Sequence, residues 1–235
     1  MTANRDEFHR RPAKASHFWP HQPHVLAGID LEGGGTWMGV SKDGYFSALT
    51  NVRQIPAPAS PPNKVSRGQL VADYLIHQPD PLAYLQDIHR QAHLYEGFNL
   101  IVGNRQQCFF LSNRNTSNTP LALAPGLYGL SNAALNSPWP KNLYAKQQLR
   151  NWIQNSNGQA LHSLLNSRDT YPKHELPDTG IGQPWESLLS AAFITSPEYG
   201  TRASTGLQIH TDGIEWQEAS YNPQGQLDEL IDLSF

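Results

Sequence analysis

The chain has 235 residues, enough for one large domain or, as the second choice, two small ones, with a substantial core. Charged residues are only 16% while glycine and proline supply 18 each, a composition that excludes a helical bundle and favours a loop-rich β or α/β protein. A formal net charge of −3 provides no basic face for nucleic acid. No apolar run reaches the length that spans a bilayer, and the polar first residues carry no secretion signal, so the expected location is cytoplasmic.

In chain order, Thr2-Ala3-Asn4-Arg5-Asp6-Glu7-Phe8 comes first, a charged block that leads at once into aromatic and glycine-rich segments. Val25–Gly28 reads as a short strand. Thr36–Val40 and Tyr45–Thr50 flank Lys42-Asp43-Gly44, a hairpin signal, because Asp-Gly suits the positive φ of a tight turn. Residues 54–65 hold Pro56, Pro58, Pro61 and Pro62 and are expected to be a loop.

Ser66 is placed as the cap of a helix carrying Leu70, Val71, Tyr74 and Leu75, and Asp80-Pro81 as the cap and first residue of the next. Pro81, Leu85, Ile88, Ala92 and Tyr95 form one buried stripe. Phe98–Val102 and Cys108–Leu111 make a second hairpin. A helical stretch from Tyr144 to Ser167, broken near Asn157-Gly158, is followed by a loop over 168–184 and a short helix over Trp185–Ala192. Arg202–Thr211 and Ile214–Tyr221 pair around Asp212-Gly213. No composition shift divides the chain. Strands, helices, strands, helices, strands suit two sheets with helices outside them in one α+β domain over residues 1–235.

Standard catalytic signatures are mostly missing: there is no phosphate loop with Lys-Ser/Thr, no Gly-x-Ser-x-Gly and no His-Glu-x-x-His. Gly33-Gly34-Gly35 lacks dinucleotide spacing and serves a tight turn. His89 and His93 share a helix face but have no third ligand nearby, so no metal site is expected. His9, His17, His21 and His24 offer imidazoles of the kind that ligate haem, although surface histidines are the commoner case. Cys108, the single cysteine, sits in an apolar strand where a buried thiol is the ordinary state. Four segments place an amide or guanidinium at a strand edge or turn: Asn4-Arg5-Asp6-Glu7, Asn51-Val52-Arg53, Ser131-Asn132 and Tyr199-Gly200-Thr201-Arg202. Converged, they make a polar pocket for a carboxylate or oxyanion; scattered, they are turn residues.

Taken with Gly34-Gly35-Thr36-Trp37, Leu49-Thr50-Asn51, Ser66-Arg67-Gly68, Gly97-Phe98-Asn99-Leu100, Gly129-Leu130-Ser131-Asn132 and Pro138-Trp139-Pro140-Lys141, these blocks resemble, in order, the NRDE family. It is also called the transport-and-Golgi-organisation protein 2 family. The resemblance covers essentially the whole chain. It implies an N-terminal-nucleophile hydrolase-like fold, a four-layer αββα sandwich of two antiparallel sheets. In related amidases of the bile-salt-hydrolase and penicillin-acylase type, a cysteine follows the initiator methionine and its own amine can act as base. By resemblance, Arg5 and Asp6 correspond to the Arg/Asp pair beside that cysteine, Asn132 to the oxyanion-site Asn, and Arg202 to the late Arg. Family members reach Asn-Arg-Asp-Glu only after Met-Cys and an apolar strand. This chain starts with Met1-Thr2-Ala3, so the first strand, its turn and the nucleophile are expected to lie upstream, leaving a sheet edge or gap.

Two functions follow. One is a ligand-handling protein in haem trafficking or lipid and acyl-CoA homeostasis, as the resemblance implies, with haem as possible cargo. Its site would draw on Asn4, Arg5, Asp6, Trp37, Asn51, Arg53, Asn132 and Arg202, with Trp19, Tyr128 and Trp139 as apolar walls. The other is an amide (C–N) hydrolase whose cysteine is absent from the chain.

Overall fold

The structure is a computed structural model that describes residues 1–52, 65–115, 119–155 and 158–235. Strands β1 (Thr2–Phe8), β2 (Ala13–Trp19), β3 (Gln22–Asp30), β4 (Met38–Ser41) and β5 (Phe46–Asn51) precede helices α1 (Gly68–His77) and α2 (Pro81–Arg90). Strands β6 (Phe98–Gly103), β7 (Cys108–Ser112) and β8 (Leu121–Ala122) come next, then α3 (Pro140–Asn155), α4 (Trp185–Leu188), β9 (Tyr199–Ile209), β10 (Ile214–Tyr221) and β11 (Leu227–Ser234). The expected Pro-rich loop, except Val65, lies outside the described residues, as does Arg53.

The fold is α+β with two antiparallel sheets, one of four strands ordered β1-β9-β10-β11 and one of seven ordered β2 to β8. The chain divides into two compact units. The first comprises Met1–Arg11, Leu127–Gly129 and Asn136–Phe235; the second comprises Pro12–Gly126 and Leu130–Leu135.

In the second unit the Asp43-Gly44 turn closes β4 onto β5, with Gly44 at φ +86°. The core forms between α1, α2 and one face of the sheet: Leu70, Val71, Tyr74 and Leu75 meet Leu85, Ile88, Leu100, Val102 and Leu111. Tyr74 is fully buried and donates its hydroxyl to Gly103 O at 3.0 Å, and Tyr84 donates to Leu70 O at 2.7 Å. Burial, the largest cause, pushes both phenols well above the ordinary tyrosine range. Asp80 caps α2 by accepting from Ala83 N, with Pro81 in the first turn. The cap of α1 differs from expectation. Arg67, not Ser66, is the N-cap and makes no side-chain cap bond; Ser66 accepts the Gln69 amide through its backbone carbonyl. The helix start is tied instead to the glycine loop, where Thr36 N donates to Gly68 O at 3.1 Å.

In the first unit a 3₁₀ turn over Leu161–Leu165 lies on the four-stranded sheet, and Gly206 permits the approach, since a Cβ there would stand 2.7 Å from His162 N. The stretch expected to be helical to Ser167 is therefore α3 followed by this turn, and the helix at 185 is one turn long. Strand β11, not anticipated, is mostly exposed and lies at the sheet's outer edge among the described residues.

Candidate functional site

The Asn-Arg-Asp-Glu block lies within β1, paired antiparallel with β9. Alternation along a strand sends Asn4 and Asp6 to one face and Arg5 to the other. Asn4 Nδ2 donates to Leu165 O at 2.9 Å and Ala192 O at 2.7 Å, while its Oδ1 accepts from the Ser204 hydroxyl at 2.7 Å. Asp6 Oδ1 accepts from the Thr201 hydroxyl at 2.7 Å, and the same Thr201 oxygen accepts from Ile194 N at 2.9 Å. These two side chains of the block thus bind β1 to β9 and to the segment 192–194.

The register shifts between Arg5 and Asp6, because β9 holds one residue more than β1 there: Arg5 faces Ala203 and Asp6 faces Thr201. The extra residue is Arg202. Its Nη1 reaches three backbone carbonyls of the following turn, Phe8 O at 3.3 Å, His9 O at 3.1 Å and Arg11 O at 3.3 Å. The guanidinium, one of the expected carboxylate partners, is thereby engaged with main-chain oxygens. On the face of the sheet that carries Arg5, register places Thr205 beside the buried Glu218, whose carboxylate accepts from the Thr205 hydroxyl at 3.3 Å.

In the second unit, Asn51 ends β5 and Asn132 lies in the segment after Gly129. Asn132 Nδ2 donates to Asn51 O at 3.0 Å, and Asn132 Oδ1 accepts from the Ser131 hydroxyl at 3.3 Å. The Asn132 amide is fixed at both ends and, among the described residues, keeps one N–H for another acceptor. Asn51 itself is exposed and meets Asn132 through its backbone oxygen. Beneath them Thr50 and Asn99 face one another across β5 and β6. The Thr50 hydroxyl donates to Ser131 O at 2.6 Å, and the fully buried Asn99 donates through Nδ2 to Thr50 Oγ1, Ser131 O and Ala133 O at 3.1, 3.3 and 2.8 Å. Asn99 Oδ1 is buried without a partner among the described residues. Leu100 and Val102 face α1 and α2, so this polar anchor is on the opposite face of the sheet.

Trp37 is half-buried, with its ring against Gly28, where a Cβ would stand 2.4 Å away. Trp19 belongs to the helix-side core and donates Nε1 to Ala27 O at 3.0 Å. The structure thus brings Asn4, Asp6 and Arg202 together along β1 and β9, and Asn51 and Asn132 together at the end of β5. Sequence reasoning quotes Thr201, Thr50 and Asn99 only as members of their blocks, gives them no role of their own, and does not name Ser204. The available signal was a set of short polar residues on strands otherwise buried. Cys108 is half-buried and burial pushes its thiol up to about 11, the reverse of an activated nucleophile. Among the described residues no three His, Cys, Asp or Glu side chains converge as a metal site, and no helix is long and apolar enough to cross a membrane.

A family model described as Transport and Golgi organisation 2 matches residues 1–222, a range that runs through both units. The Bos taurus Transport and Golgi organization protein 2 homolog is 38% identical over 232 residues, covering 91% of this chain and 82% of the relative. The Homo sapiens homolog is 36% identical over 236 residues with the same coverage. The Drosophila melanogaster Transport and Golgi organization protein 2 is 25% identical over 253 residues, 96% of this chain and 88% of its own length. With the family model covering most of its length and relatives above 30% identity, the chain belongs to the transport and Golgi organisation 2 family.

Proposed function

We propose that the chain is a cytoplasmic ligand-handling protein, acting as one domain over 1–235, whose cargo is a small hydrophobic anion such as haem, an acyl-CoA or a lipid. The observation that carries this reading is the Asn132 side chain, held by Asn51 O and the Ser131 hydroxyl with one N–H left to donate among the described residues. A neutral amide fixed in this way is suited to a carboxylate or phosphate oxygen and needs little reordering on binding. The half-buried Trp37 supplies aromatic surface in the same unit.

The same donors would serve an amide hydrolase only with a nucleophile other than Cys108. The chain's one thiol, Cys108, is held protonated by burial. Titration distinguishes the readings. Haemin is followed by its Soret band and palmitoyl-CoA by tryptophan fluorescence. Binding of one of them at micromolar concentration, weakened about tenfold, or about 1.4 kcal/mol, by Asn132→Ala, is the expected result. Failure of the unaltered protein to bind either probe overturns the proposal.

A further inference from the structure

Asn99 is an expensive residue to keep where it stands. It is fully buried, its Nδ2 is surrounded by three acceptors, and its Oδ1 has no partner among the described residues. A buried amide with an orphan acceptor stabilises the fold less than an apolar side chain of similar shape, so core stability alone does not account for it. The direction of its bonds does. Together with Thr50, it grips the carbonyls of Ser131 and Ala133, the residues on either side of Asn132.

We propose that Thr50 and Asn99 are positioning residues for Asn132. They form a buried hydrogen-bonded strut that clamps the main chain on both sides of it and so sets the direction of its free N–H. The physical sequence is short. Strand pairing holds Thr50 opposite Asn99 across β5 and β6. The Thr50 hydroxyl relays this rigidity, receiving from Asn99 and donating to Ser131 O. With both flanking carbonyls fixed, the Asn132 side chain meets Asn51 O in one orientation. The ligand-facing consequence rests on the function proposed above; the positioning itself is measurable without a ligand.

The test uses the full ¹⁵N-labelled chain and the side-chain amide resonances of Asn132. Thr50→Val keeps the shape and removes both hydroxyl bonds; Thr50→Ser restores them. The expected result is that Thr50→Val moves the Asn132 amide pair toward the position of a solvent-exposed asparagine and weakens palmitoyl-CoA binding at least fivefold, with Thr50→Ser returning both to normal. Asn99→Asp, which turns a donor into an acceptor facing two carbonyls, gives the same displacement and serves if Thr50→Val does not fold. Asn132 resonances unchanged in a folded Thr50→Val or Asn99→Asp protein overturn the proposal. A wild-type chain that binds neither haemin nor palmitoyl-CoA overturns the function proposed above instead, and the resonance comparison still decides the strut.

Discussion

Thr201 donates its hydroxyl to Asp6 Oδ1 and, through the same oxygen, receives the Ile194 amide, so one side chain joins β1, β9 and the segment that leads into β9. Ile194 and Thr201 are both buried, which makes each of these bonds costly to leave unmade. Asp6→Asn retains the acceptor oxygen and should change stability little. Asp6→Ala strands the Thr201 hydroxyl and should cost about 1–3 kcal/mol in urea unfolding. Equal losses for the two variants would show that the charge, not the bond to Thr201, carries the residue's contribution.

Asn4 makes three hydrogen bonds, to Leu165 O, Ala192 O and the Ser204 hydroxyl. Asn4→Ala removes all of them and leaves two carbonyls unsatisfied, so a loss of about 2–4 kcal/mol is expected. Ser204→Ala removes only one and should cost roughly 1 kcal/mol. Denaturation midpoints for the two variants decide whether the first asparagine of the block acts chiefly on the fold.

Gly34 and Gly35 both have positive φ, +67° and +72°, but only Gly35 is crowded. A Cβ on Gly35 would stand 2.4 Å from the main chain of Gly68, whereas one on Gly34 meets nothing within 4 Å. Gly34→Ala should therefore show only the left-handed penalty of about 1–2 kcal/mol. Gly35→Ala should lose the docking of the loop on α1, with a much larger fall in melting temperature than its neighbour. Similar melting temperatures for the two would contradict this packing.

Cys108 should resist thiol reagents at neutral pH in the folded protein and react readily once unfolded, since burial pushes it up to about 11 from an ordinary value of 9.0. Between those values the native state binds the proton that the unfolded state has released. Stability attributable to this group is thus complete below pH 9 and falls as pH rises toward 11. Cys108→Ser should flatten that part of the stability profile. Fast modification at pH 7 would refute the assignment.

Local chemistry made much of this fold legible. Asp43-Gly44 announced its hairpin, and Asp80-Pro81 its helix start, because each pattern acts through its own backbone. The stripe of Pro81, Leu85, Ile88, Ala92 and Tyr95 is buried throughout, but α2 ends at Arg90, and Ala92 lies in a 3₁₀ turn over Ala92–Leu94 that Tyr95 closes. Strand β11 escaped notice because Asp228, Glu229 and Asp232 interrupt its apolar alternation, as suits an exposed edge. The candidate site was legible as residue types only. Nothing in Thr50 or Asn99 taken singly shows that they meet across two strands, or that both reach for the carbonyls beside Asn132. Contacts between residues tens of positions apart are set by register, which no local pattern states.

The additional residue that β9 carries opposite the Arg5–Asp6 step has a consequence for sequence change in this family. Thr201 and Ser204 stand three apart, an odd number, yet they serve Asp6 and Asn4, which project from the same side of β1. Only a bulge can reconcile these parities. Deleting Arg202 would leave Thr201 and Ser204 two apart in a regularly pleated strand, still facing Asp6 and Asn4, so the extra residue is not needed for these two bonds. Position 202 is thus a residue added to the pleat for its guanidinium: the strand pairing survives its loss, while the turn after β1 loses the group that gathers three of its carbonyls.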